Sequence, residues 1–466
     1  MSIIRQTYCT LIVCYLCLNI GIMFAWPSST IKLFSSKNTT LNRPMTETEV
    51  ALFGSLSSVS AMISTPIAGF LLDILGRKYC CILFATPQVV AWALISTFPS
   101  VAIILLSVFI SGLGGCLFVI VPLYVSEFCH ESIRGTMTSG GIISYGVGLM
   151  VSYVLGGHLD YKMMNYVCLL FAIVGVLALM IVRESPTYLM KKGMDKEAAN
   201  SIAFYRSSKP NSKEVLQEMD VIRKALNPQL DNETPEEEKL KTENQTPKKL
   251  SLLEFFKKSR STRRALVIVL IIYSISVFQG LPVVQVYAEP LFEEALPSMS
   301  ANLTSILFAL VNTIAGLTSA YLMDYAGRRP VMIYSSIASG ICCVALGTQI
   351  QFHWGPHWLT GIFIYAFCLT STSGAGTVPF VMIAEVFLPE VKGVMTMVCV
   401  QWGWICTFIA LFIFNPLVSV MGLGPIFYIF AVVSVIAIVF CYFYQPETNG
   451  LTVDVIQTLL VRKTQC

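Results

Sequence analysis

The chain has 466 residues, of which 55% are hydrophobic and only 12% charged, with a formal net charge of +4. A water-soluble chain of this length carries roughly 25% charged residues, so the composition excludes a soluble globular protein and implies an all-α integral membrane protein. The cations lie in short loops between apolar stretches, which argues against nucleic acid as a partner.

A bilayer span needs about 20 mostly apolar residues. Twelve stretches satisfy this in chain order: 7–26, 50–72, 80–98, 101–123, 136–157, 165–182, 265–287, 302–322, 331–352, 360–384, 394–416 and 424–444. The first is too long for a secretory h-region and no small-residue cleavage pattern follows it, so it reads as a retained span. With twelve spans only Lys32, Lys37, Arg43 and Lys162 fall opposite the termini, leaving 27 of the 31 basic residues on the side that holds both chain ends. That side is therefore expected to be cytoplasmic. The 15 cysteines sit almost entirely within spans, which implies small apolar packing and no disulfide framework.

Short charged motifs recur at nearly constant offset. Asp73, Gly76, Arg77 and Lys78 are echoed 251 residues later by Asp324, Gly327, Arg328 and Arg329. Glu127, Arg134 and Gly135 are echoed at 258 by Glu385, Lys392 and Gly393, and Glu184 with Ser185 at 263 by Glu447 with Thr448. The preserved order predicts a duplicated six-span unit, hence two pseudo-symmetric six-helix bundles. Each motif falls at a span end on the terminal side, where charge avoids the roughly 2.5–3.5 kcal/mol cost of the bilayer centre. The matching carboxylates predict ion pairs between the two halves, an inner gate network of Asp73, Arg77, Lys78, Glu127, Arg134, Glu184, Asp324, Arg328, Arg329, Glu385, Lys392 and Glu447. The positive-inside rule alone would explain the cations but not the carboxylates.

The expected organisation is a first bundle over 1–182, a cytoplasmic linker over 183–264, a second bundle over 265–444 and a tail over 445–466. The linker holds 18 Lys and Arg against 13 Asp and Glu, with short helices expected near 191–206 and 213–226 and a Pro-, Asn-, Glu- and Lys-rich disordered part over 227–249. Ser251 followed by Glu254 reads as a capping box that restarts a helix leading into the seventh span.

Taken together, the two-fold repeat, the long central loop and the charged motifs resemble the sugar porter family of the major facilitator superfamily over essentially the whole chain. Tyr124, Glu127, Arg134 and Gly135 are similar to the family's motif after span four. Glu184, Ser185, Pro186, Tyr188 and Leu189 are similar to its mid-chain motif, and Pro446, Glu447, Thr448 and Gly450 to its carboxy-terminal one, with Asn449 in place of the usual Lys. The run Tyr287, Ala288, Glu289, Leu291, Phe292 most resembles the insect trehalose-transporter-like branch. The resemblance implies plasma-membrane uniport of a hexose or a disaccharide such as trehalose by alternating access, without a cofactor.

Several contacts that the resemblance would imply are absent. Ile142 stands where the family usually has Gln in span five, Ser276 and Val277 where span seven has two Gln, Pro282 where it has Asn, and Gly403 where span eleven has Asn. What remains as substrate-binding candidates is Asn312 in span eight, Phe380 after Pro379 in span ten, Gln279, Gln285 and Tyr287 in span seven, and Trp404, with Trp402 beside it. The two glutamines lie about 120° apart on an unbroken helix, so they share a cavity only if Gly280 and Pro282 break it. Proton-coupled relatives place an acid in span one and an Arg in span four. Here span one has no acid and Val108 occupies the second position, which favours uniport.

Other readings remain. A sensor built on a transporter scaffold usually carries long cytoplasmic extensions, whereas this tail ends about 20 residues after the last span, as read from the expected boundaries. A carrier of a non-sugar solute fits the lost polar contacts. An enzyme or a metal protein is disfavoured, since none of His130, His158, His353 and His357 pairs with carboxylates at metal-ligand spacing on a span. Asn38 opens a glycosylation sequon in the first outer loop. A second, at Asn302, abuts span eight, and those at Asn232 and Asn244 are expected to be cytoplasmic and unused.

Overall fold

The computed structural model describes residues 2–226, 259–297, 299–387 and 389–451, together with 455, 456, 458 and 459. Among them twelve helices are long and apolar enough to cross a membrane. Spans 1 to 6 are Ser2–Ser35, Glu47–Leu75, Arg77–Thr97, Val101–Phe128, Met137–His158 and Tyr161–Ala178. Spans 7 to 12 are Arg260–Phe278, Ala301–Ala326, Arg328–Phe352, His357–Val386, Val391–Met421 and Leu423–Phe443. An even number of crossings puts both ends of the chain on one side, here the terminal side; the other is the far side. The chain folds as an all-α membrane protein of two six-helix halves.

Every expected span is present, and most helices run several residues beyond the expected bounds. The apolar windows undercount because polar residues at span ends stay hydrogen-bonded within the helix while their side chains reach water. Three spans are interrupted. Span 4 tightens into a 3₁₀ turn over Leu113–Cys116, where a Cβ on Gly115 would lie 2.4 Å from that of Ala61 in span 2. Span 10 turns after Ser373 and resumes at Val378. Span 7 stops at Phe278 and restarts over Leu281–Val286, with Gly280 at φ +98° and Pro282 inside the new first turn, so the helix breaks at that point.

Buried apolar side chains gather in three large clusters. One draws on both halves at the far side, joining Trp26, Phe53 and Trp92 to Tyr287, Phe308 and Phe427. The other two lie at the terminal side and divide by half: Cys9, Phe84 and Tyr124 belong to the first, Val269, Met332 and Cys399 to the second. The halves therefore share one core at the far side and keep separate cores at the terminal side, where Met397 of the second half still packs against the first. All fourteen described cysteines are unpaired and thirteen are buried.

Between the halves, helices form at Pro186–Lys191, Asp195–Arg206 and Lys213–Leu226. The first is an addition to the two expected helices. Ser185 accepts from the Tyr188 N–H at its start, and Gly193 at φ +75° separates it from the next. The helices share a small core of their own and dock on the first half, where Arg5 donates to the Phe204 carbonyl at 2.9 Å and Arg206 to the Phe128 carbonyl at 3.1 Å. The segment 227–249, the Ser251–Glu254 capping box and the sequons at Asn232 and Asn244 lie outside the described residues. Asn38 is exposed in the loop after span 1, while Asn302 is half-buried in span 8.

Candidate functional site

The duplicated motifs form two charged nodes with the same wiring. In the first half the Arg77 guanidinium pairs with Glu127 at 2.7 Å and donates to the Leu72 carbonyl at 3.3 Å. The N–H groups of Arg77 and Lys78 both donate to Glu184, at 2.9 and 3.1 Å, and Ser185 Oγ donates to Glu127. In the second half Arg328 pairs with Glu385 at 2.8 Å and donates to the Met323 carbonyl at 2.9 Å. The N–H groups of Arg328 and Arg329 donate to Glu447, at 2.9 and 3.0 Å, and Thr448 Oγ1 donates to Glu385 at 2.6 Å. Gly76 and Gly327 both take φ +91°, and a Cβ there would lie 2.6 and 2.7 Å from the Glu184 and Glu447 carboxylates. The glycines thus let a helix N-terminus close onto an acid, a favourable place for negative charge. Burial pushes the Glu184 carboxyl above its ordinary range, against the pull of the Ser185, Lys78 and Arg77 N–H groups and the Arg77 charge.

This geometry corrects one expectation. The pairs made by Arg77 and Arg328 join helices within a half, not one half to the other. Asp73 pairs with Lys191 at 2.8 Å and Asp324 with Arg328 at 3.3 Å, again each within its own side of the duplication or its adjoining linker. Arg134 and Lys392 stand exposed, outside these pairs. Spacing names residues that meet in the nodes, Arg134 and Lys392 apart, and carries no information on which helices they join.

Polar contacts join the halves at mid-depth and at the far side, while nearer the terminal side Met397 of span 11 packs on Gly69 of span 2. Tyr145 of span 5 donates to Gln285 Oε1 at 3.2 Å, and Tyr153 donates to the Gln285 carbonyl at 2.5 Å. Gln285 Nε2 reaches Asn312 Oδ1 at 3.5 Å, which also accepts from Thr372 at 2.7 Å. Spans 5, 7, 8 and 10 thus meet in one buried polar cluster. Beyond it, Ser28 Oγ accepts from the Glu289 N–H at 2.8 Å and Lys32 pairs with Glu293 at 2.6 Å, closing the far side.

The remaining candidates separate. Gln279 does not meet Gln285: it is fully buried and donates to Ser336 Oγ of span 9 at 3.3 Å. Tyr287 is packed, its hydroxyl donating to the Leu411 carbonyl at 3.1 Å and its ring stacked on Phe414. Trp402 donates to Ser274 Oγ at 2.7 Å. Phe380 sets its edge against Tyr273, centroids 5.4 Å apart. Trp404 lies 6.2 Å from Phe118 across the halves, and its Nε1 is buried without a partner. Tyr145, which ties Asn312 and Gln285 to the first half, was missed in the sequence. Its one signal is that it lies a single helical turn after Ile142.

The departures have structural counterparts. Ser276 gives its hydroxyl to the Ala375 carbonyl in the broken turn of span 10, and Val277 is buried in the second-half cluster. A Cβ on Gly403 would stand 2.2 Å from Tyr273 Cε1, so the Tyr273 ring occupies the space of a span 11 side chain.

Known proteins give the context. Residues 10–460 match the family model described as sugar (and other) transporter. The chain is 24% identical over 451 residues to the facilitated trehalose transporter Tret1 of Culex quinquefasciatus, covering 94% of this chain and 82% of that one. It is 27% identical over 428 residues to the sugar transporter ERD6-like 7 of Arabidopsis thaliana, covering 89% and 86%. In fold it is similar to the proton:xylose symporter XylE bound to 6-bromo-6-deoxy-D-glucose, with a TM-score of 0.75, 19% identity and coverage of 99% and 100%. The inward open conformation of XylE from E. coli superimposes with a TM-score of 0.77 at 18% identity, covering 97% and 98%. A twelve-span chain with two matched charged nodes, aligned along nearly its whole length with this family, belongs to the sugar (and other) transporter family.

Proposed function

We propose that the chain is a facilitative sugar carrier of the plasma membrane, working by alternating access with both termini in the cytoplasm. The observation that carries this reading is the polar cluster of Tyr145, Gln285, Asn312 and Thr372, built from both halves at mid-depth beneath a closed far side. Such groups can exchange their mutual hydrogen bonds for those of sugar hydroxyls, so binding sugar need not leave a buried polar group unpaired. A solute that replaces the Tyr145–Gln285 bond touches both halves at once, which makes their relative position depend on occupancy. Each charged node holds four helix ends of one half together, so the halves move as units and the inner gate network acts as two locks, one per half. Trehalose or a hexose is the expected class, in keeping with the names of the relatives. Gln279 serves helix packing in this reading.

The absence of acid from span 1 and the apolar Val108 support uniport over proton coupling. The test is uptake into liposomes holding the purified protein, comparing glucose, fructose, trehalose and a polyol with and without a pH gradient. Saturable uptake of a sugar, indifferent to the gradient and reduced at least tenfold by Asn312→Ala or Gln285→Ala, is expected. Uptake driven by the gradient would sink the uniport assignment, and no saturable uptake of any sugar by folded protein would sink the sugar assignment.

A further inference from the structure

Beyond the hydrogen-bonding cluster, the space between the halves is walled by rings. On span 5, Tyr145 and Tyr153 bond Gln285 of the other half, and a Cβ on Gly146 would lie 2.8 Å from Thr313 Oγ1 in span 8. Ile142 shares their helical face at spacings of three, four and eleven residues, and its side chain is 40% exposed. It therefore turns toward the second half, one turn closer to the terminal side than Tyr145. Span 10 is packed by spans 7, 8, 9 and 11, so the 40% exposed ring of Phe380 faces the first half. Tyr273 fills the gap between Phe380 and Gly403, while Trp404 meets Phe118, which sets its edge on Tyr145 at 5.2 Å.

The side chains that could have made this wall polar are engaged elsewhere. Ser276 bonds the Ala375 carbonyl and Gln279 bonds Ser336. Hydrogen-bonding capacity is therefore segregated: Tyr145, Gln285, Asn312 and Thr372 at one end, aromatic and aliphatic surface over the rest. Trp404 Nε1 interrupts that surface as a buried donor without a partner among the described residues and without any acceptor capacity. Asn312 uses its Oδ1 toward its protein neighbours, which leaves its Nδ2 donors for a ligand among the described residues.

We propose, on the basis of the sugar assignment above, that the preferred solute is a glycoside, a sugar with an apolar substituent, rather than a bare sugar. A bare sugar carries hydroxyls on every side, and those turned to the ring wall lose water without gaining partners. A glycoside places its sugar hydroxyls on the polar cluster and its substituent against Phe118, Phe380 and Ile142. Its bridging oxygen is an acceptor only, the match for the unpartnered Trp404 N–H.

Equilibrium binding to the purified protein in lipid nanodiscs tests this with D-glucose, methyl β-D-glucoside and phenyl β-D-glucoside. The phenyl compound is expected to bind at least tenfold more tightly than glucose, about 1.4 kcal/mol, with the methyl compound between them. Ile142→Gln with Phe380→Ser is expected to abolish the preference by weakening the phenyl glucoside and tightening glucose, whose hydroxyls then gain partners, and Asn312→Ala to weaken both ligands. Glucose bound as tightly as the phenyl glucoside would overturn the proposal and leave the sugar assignment standing. A preference that survives the double variant would also overturn it, because the phenyl group would then be held elsewhere. No binding of any of the three would sink both.

Discussion

In the first node the Glu127 side chain is 11% exposed, whereas its counterpart Glu385 in the second is 26% exposed, although the arginines are equally buried. The cause is what covers each node. Arg77 lies over the Tyr188 ring at 5.5 Å, on the first linker helix, which also brings Lys191 to Asp73. Arg328 is clasped by the tail residue Asn449, whose Oδ1 accepts from it at 2.5 Å and whose Nδ2 donates to the Asp324 carbonyl at 3.1 Å, and Ile456 of the tail is buried in the second-half core. Duplication preserved the arginine, the two acids and the glycine, while the chain that follows each half diverged. The first node is covered by the linker helix that carries Tyr188 and Lys191, the second is clasped by the Asn449 side chain.

The largest effects should expose that difference. Arg77→Ala strands Glu127 in its buried site and is expected to cost about 3–5 kcal/mol of unfolding free energy. Arg328→Ala should cost roughly half as much, since Glu385 is better hydrated; chemical denaturation in detergent reads both. Equal losses would show that the cover does not matter. Gly76→Ala and Gly327→Ala should instead behave alike, each losing about 1–3 kcal/mol, because both glycines sit at positive φ against a carboxylate. Asn449→Ala should cost about 1 kcal/mol, coupling to Arg328→Ala in a double-mutant cycle and adding independently to Arg77→Ala.

The smallest effect belongs to the far side, where no node exists. Lys32 and Glu293 are both well exposed, so breaking their pair should change stability by less than about 1 kcal/mol. Glu289 is different. With Lys32, Glu293 and Glu294 it lines a cavity of about 540 Å³. Burial pushes its carboxyl up, Glu293 adds to the rise and Lys32 opposes it. A carboxyl raised in the closed arrangement holds its proton more tightly there than when hydrated. Closure is then favoured at acid pH and loses that support as pH rises through the raised value. Far-side accessibility should increase a few-fold from acid to neutral pH, and Glu289→Gln should flatten the dependence.

Spans and nodes were legible in the sequence for different reasons. Hydropathy reports burial in lipid residue by residue, so all twelve spans stand out, and Gly280 with Pro282 announces its own break. The nodes were legible because an acid and a base recurring at one offset have few explanations. Their pairing within each half was not legible, because the pattern names partners and says nothing about the state of the gate. Gln279 and Gln285 are the same residue type on the same span, and only the turn at Gly280 sends one to Ser336 and the other to Asn312. Tyr145 was hidden for a related reason: a tyrosine in a span reads as packing or anchoring until its hydroxyl is seen to reach across the halves.

The cysteine distribution has a practical side. Thirteen of fourteen described thiols are buried, so with Cys342 and the terminal Cys466 replaced the buried thiols leave a quiet background for maleimide labelling of the intact carrier. A reporter cysteine at position 142, on the face between the halves, would then signal the movement of one half against the other with the thirteen buried thiols left in place.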